Sequence, residues 1–114
     1  MRRDARAYLW EAIQAADAVL RYTEGKALDD VLGETLLSDA VERQLIALGE
    51  ALSQLSQAFP QIAKDFPGLP KVVAFRNILL QGYSDLDWQA VWTLVQQPLP
   101  MLKAAMQARL EVLG

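Results

Sequence analysis

The segment Phe75–Tyr83, FRNILLQGY, gathers the side chains of this chain best suited to phosphate chemistry. Arg76 offers a charged fork that does not deprotonate in proteins, while Asn77 and Gln81 carry amides able to orient a hydroxyl or a base edge without titrating. Tyr83 follows Arg76 by seven residues, which on a continuous helix places the two on one face. By spacing alone the segment reads first as a helix C-terminus, closed near Gly82, whose arginine pairs with Glu50 or another acid, and only second as a site. A further charged line, Asp39, Arg43 and Glu50, is spaced by four and seven residues and also shares a helical face. Its plainest reading is a solvated surface with one ordinary ion pair between Asp39 and Arg43, contributing roughly a few tenths of a kcal/mol.

What the chain lacks narrows its chemistry further. Its 114 residues include no His and no Cys. An imidazole general base, a Ser-His or Cys-His dyad, a His- or Cys-ligated metal and a disulfide scaffold are therefore excluded. Acid–base work would fall to a carboxylate, Tyr, Lys or a partner, and no resident cofactor or metal is expected. The formal charge of −3 is the wrong sign for holding nucleic acid through the field of the whole molecule, so any such contact needs a local basic site. No apolar stretch approaches the ~20 residues that span a bilayer. Asp4, Arg6 and Glu11 also interrupt what would be the apolar segment of a signal peptide. The expectation is a cytoplasmic protein without membrane association.

The elements that must position these residues are helical. With 53% hydrophobic and 22% charged residues, the chain can close one core and bury about two thirds of its unfolded surface, so residues 1–114 are read as a single domain. Ala5, Tyr8, Leu9, Ala12, Ile13, Ala16, Val19 and Leu20 form a stripe from Asp4 to Tyr22, stopped by Gly25. Ala27–Leu32 is a short helical piece before Gly33. Leu37, Val41, Leu45, Leu48, Leu52 and Leu55 mark a long helix from about Leu36 to Ala58, limited by Pro60, with a further turn at Gln61–Phe66. Pro67, Gly68 and Pro70 make a turn, and the fourth helix starts near Pro70 or Lys71 and ends near Gly82. Asp85 and Asp87 can cap a last helix carrying Trp88, Val91, Trp92, Leu94, Val95, Leu99, Leu102, Met106 and Leu110, with a break or kink at Pro98 and Pro100. No period-2 alternation suggests a strand. The predicted fold is all-α, an antiparallel up-and-down bundle of four to five helices. Trp10, Trp88 and Trp92 offer more large apolar surface than one thin core covers, which points to burial of some of it between subunits.

The wording of the chain adds a family. RDARAYLWEAIQAADAVLRYTEG, DAVERQLIALGEALSQLS, FRNILLQGYSDLDWQAVW and the Leu99–Pro100 pair resemble, in order and spacing over nearly the whole chain, the HepT-like branch of the HEPN superfamily. The resemblance implies a HEPN-like homodimer whose paired motifs meet in a cleft. It also implies a metal-independent endoribonuclease, the toxin of a type VII-like toxin–antitoxin pair, encoded beside a minimal nucleotidyltransferase antitoxin. The family motif is Arg, a polar residue, three further residues and His, with a Tyr two positions beyond. Arg76, Asn77 and Tyr83 match it, and Gln81 stands at the histidine position.

On this resemblance Arg76 clamps a phosphate of the RNA substrate, Asn77 positions it, and Asp39, Arg43 and Glu50 line or support the cleft. Tyr83 matches the tyrosine to which the nucleotidyltransferase attaches AMP. Phosphates added beside Arg76 would fill the pocket and repel RNA. A carboxamide cannot carry the proton that the family histidine moves, and loss of a general acid–base group typically costs about 10²–10⁴ in rate, so weak or absent nuclease activity is expected. The alternatives are a non-catalytic module that binds a nucleotide or the nucleotidyltransferase, and a helical scaffold with a residual cleft.

Overall fold

Asp4 begins the first helix, its side chain accepting a hydrogen bond from the backbone N–H of Arg6 and so satisfying one donor that a helix N-terminus leaves free. The computed structural model describes residues 3–81 and 86–114. Helix α1 (Ala5–Thr23) buries its predicted stripe from Ala5 through Val19, with Leu20 half-buried. Ala15 and Ala18 are buried as well, because α1 packs against two neighbours, α3 on one side and α7 on another. Gly25, with φ at +71°, turns the chain in the left-handed region that glycine enters without steric cost.

The one-turn α2 (Leu28–Leu32) buries Val31 and leads through Gly33 into α3 (Thr35–Ala58). On α3 the predicted Val41, Leu45, Leu48, Leu52 and Leu55 are buried, while Leu37 is half-buried. A second one-turn helix, α4 (Pro60–Ala63), starts on the proline, where a missing N–H breaks no helical bond. Gly68, at φ +83°, opens α5 (Leu69–Leu80). Asp87 caps α6 (Trp88–Gln96) by accepting from the N–H of Ala90. The predicted break at Pro98 is real: α6 ends at Gln96 and α7 (Pro98–Leu113) starts on the proline, with Pro100 in its first turn. All regular elements among the described residues are helical.

The bundle therefore consists of α1, α3, α5 and the α6–α7 pair, with α2 and α4 as connectors. Contacts fix the directions. Tyr8 near the start of α1 meets Phe59 just past the end of α3, and Arg6 reaches the Gly114 carbonyl while Asp17 reaches Lys103, so α3 and α7 both run antiparallel to α1. Leu9, Leu48, Leu52, Leu55, Leu94, Leu99, Leu102 and Met106 form the fully buried centre. Trp88 and Trp92 pack against it partly buried, whereas Trp10 is 57% exposed. No helix among the described residues is long and apolar enough to cross a membrane.

Candidate functional site

Helix α5 is anchored by Leu69 and Val72, both buried, and half-buried Phe75 and Leu79 pack against the same core. Arg76 follows Val72 by one helical turn and so lies over the same line of contact with α3. Its aliphatic stem rests directly on the backbone of α3 at Gly49, and its side chain is only 20% exposed. Nη2 of Arg76 donates to Oε2 of Glu50 at 3.0 Å, and Nη1 donates to Oδ1 of Asn77 at 2.8 Å. Gln54, one turn along α3, reaches the other Glu50 oxygen at 3.5 Å. The third guanidinium nitrogen, Nε, is sealed from solvent without a hydrogen-bond partner.

This arrangement leaves a defined set of donors. Each Nη carries two hydrogens, and one on each is engaged, so two charged N–H groups remain for a ligand. Asn77 is exposed, and because its oxygen accepts from Arg76 its amide N–H groups are not used in that contact. Two guanidinium donors beside an amide donor suit the oxygens of a phosphate. Glu50, 49% exposed, holds the fork from α3. Of the acids that the helix-terminus reading left open, Glu50 is the one that pairs with Arg76, and the pairing also builds the donor set.

The remaining charged line lies further along α3. Asp39, Glu42, Arg43, Ile46, Ala47 and Glu50 line one open groove on the exposed side of that helix. The expected ion pair between Asp39 and Arg43 does not form, since no salt bridge joins them among the described residues. Spacing of four residues brings two side chains within reach without joining them, and an exposed pair of this kind gains little. Glu42 instead has its carboxyl pushed up, first by burial and then by the negative charge of Asp39.

Gln81 is the C-cap of α5 and is exposed, its backbone N–H donating to the carbonyl of Ile78. Five residues separate it from Arg76, about 140° around a helix, and no hydrogen bond joins its side chain to Arg76, Asn77 or Glu50. Helix α5 ends at Leu80. Tyr83, Gly82 and the second predicted cap, Asp85, lie outside the described residues.

The structure therefore unites Arg76, Asn77 and Glu50, places Arg43 and Asp39 along the same helix as Glu50, and sets Gln81 at the end of α5. Sequence reasoning missed Gly49 and Gln54. For Gly49 a signal was present: glycine inside an apolar helical stripe costs about 1 kcal/mol against alanine and marks a close approach.

Comparison with known proteins gives consistent results. The family model described as "Ribonuclease HepT-like" matches residues 12–109. The RNase candidate MJ1380 of Methanocaldococcus jannaschii is 28% identical over 104 residues, covering 90% of this chain and 93% of that protein. "Probable ribonuclease HepT" of Thermococcus cleftensis is 25% identical over 103 residues, covering 90% and 93% respectively. A longer M. jannaschii protein, named as a gamma-glutamylcyclotransferase and RNase candidate, is 30% identical over 103 residues, 90% of this chain but 46% of its own length. No solved structure matches the chain.

Proposed function

The chain belongs to the HepT-like ribonuclease family, and from that premise we propose that it is a HEPN-type endoribonuclease whose cleavage step is weakened by Gln81. The observation that carries the reading is the Arg76 fork, held between Glu50 and Asn77 with two charged donors left over. Arg76 and Asn77 grip the phosphate flanking the scissile bond. Charge building on the phosphate in the transition state is then met by donors already in place. Proton transfer from the attacking 2′-hydroxyl and to the leaving oxygen has no titratable group at position 81, since an amide neither accepts nor gives a proton near neutral pH.

In this reading two copies face each other, with Glu50, Arg43 and Asp39 along the walls of a shared cleft, and the chain acts as the toxin of a pair with a minimal nucleotidyltransferase. That enzyme silences it by placing AMP on Tyr83, where the added phosphate competes for the Arg76 fork. A single species of monomer mass in light scattering at micromolar concentration would overturn the shared cleft.

The direct test is Gln81→His. Restoring the proton carrier is expected to raise cleavage of an RNA substrate by about 10²–10⁴ and to arrest growth when expressed alone. If neither purified RNA nor growth responds, the impaired-nuclease reading fails. The second reading, a non-catalytic module binding a nucleotide or the nucleotidyltransferase, is favoured by the same exposed Gln81. It predicts a stable complex with that partner and no gain in cleavage from Gln81→His.

A further inference from the structure

Gly49 lies inside the longest helix, between Leu48 and Glu50, where alanine would be the more favourable residue. Its φ is not in the left-handed region, so backbone freedom does not explain it. Space does. A Cβ on residue 49 would fall 2.3 Å from Cβ and 2.8 Å from Cγ of Arg76, with the Val72 carbonyl oxygen at 3.4 Å. Carbons in contact stand about 3.5–4.0 Å apart. The atoms in the way are the root of the Arg76 side chain, fixed to the α5 backbone, and not a mobile tip that could swing aside. A side chain at position 49 must therefore push α5 outward by about 1 Å or more. The same close approach accompanies the sealed Nε of Arg76, and the residue next to Gly49 is the acid that holds Nη2.

We propose that Gly49 is the positioning residue of the Arg76 fork: its missing side chain sets the depth at which the guanidinium is held between Glu50 and Asn77. This rests on the reading of Arg76 as the phosphate-gripping group and adds the residue that fixes where the group stands. Gly49 touches no substrate, and its influence passes through Arg76.

The test compares Gly49→Ala, Arg76→Ala and the double variant in binding a fluorescent non-cleavable oligoribonucleotide, together with the arginine Nε–H signals in NMR. In the parent chain the Arg76 signal, identified by its absence in Arg76→Lys, is expected to be protected from exchange with water, since its Nε is sealed from solvent. Gly49→Ala is expected to lose that protection and to weaken RNA binding roughly 10- to 100-fold, as Arg76→Ala does. The double variant then binds no more weakly than either single one, because both act through one group.

A folded Gly49→Ala chain that keeps the Nε protection overturns the proposal. Should Gly49→Ala fail to fold, adding Arg76→Gly removes the atoms that the new methyl meets. Recovery of folding in that pair supports the proposal, and continued failure overturns it. Exchange and folding are read without RNA, so a parent chain that binds no RNA sinks the phosphate reading and leaves these outcomes decisive for Gly49.

Discussion

Arg76 holds one Nη on an acid of a neighbouring helix and the other on an amide of its own helix, an arrangement that needs a rigid planar fork. A lysine ammonium is a point donor on a flexible stem and cannot reproduce both contacts and still face a phosphate with paired donors. Arg76→Lys is expected to weaken binding of short single-stranded RNA by about 10- to 100-fold, close to the loss in Arg76→Ala, as measured by fluorescence anisotropy. Full affinity in the lysine variant would show that charge alone suffices. The partner of Arg76 was legible in the sequence because Glu50 was the acid already singled out beside it. Gly49 carried a signal of close approach but not of its partner, because which helix crosses a given glycine is decided by tertiary packing. The Asp39–Arg43 pair, inferred from spacing, does not form among the described residues, since spacing sets only proximity.

The helices themselves were legible wherever local chemistry sets a boundary. Asp87 caps as its position suggests, Gly68 turns in the left-handed region, and Pro98 divides the last segment because it suits the first turn of a helix and not the middle of one, whereas the Asp4 cap is read only from the structure. Less legible was burial on more than one side. Ala15 and Ala18 lie off the predicted stripe, yet are buried because α1 is flanked by both α3 and α7. At this scale Asp87→Ala is expected to cost about 1 kcal/mol and to lower Tm by roughly 4–8 °C. Calorimetry on the full chain checks it, and an unchanged Tm would mean that the cap contributes nothing to holding α6 in place.

Across the whole molecule, two carboxylates give stability opposite dependences on pH. Asp17 of α1 accepts from Lys103 of α7 and from Arg21, and these hydrogen bonds hold its carboxyl below the usual range. Its contribution is present above the unfolded value, about 3.9, and is lost as pH falls through the depressed folded value. Glu42 has the reverse sign. Burial, then Asp39, raises its folded value, so its ionised form opposes folding at neutral pH and the opposition is relieved as pH falls through that raised value. Glu42→Gln is therefore expected to raise the urea midpoint at neutral pH, with the advantage shrinking in acid, whereas Asp17→Asn lowers the midpoint at neutral pH and loses its effect in acid. A pH series of urea melts distinguishes them, and parallel behaviour of the two variants would contradict both assignments.

The same electrostatic reasoning applies to the fork on α5. A chain of net charge −3 meets a polyanion with a cation that already carries its own counterion, the Glu50 carboxylate at 3.0 Å. A lone cation neutralising one phosphate of single-stranded RNA displaces condensed ions with a logarithmic salt slope of about 0.7. In the proposed reading Arg76, paired with its acid, would displace fewer, so its share of the affinity is expected to come from directed bonds and to survive rising ionic strength better than that of a free surface cation.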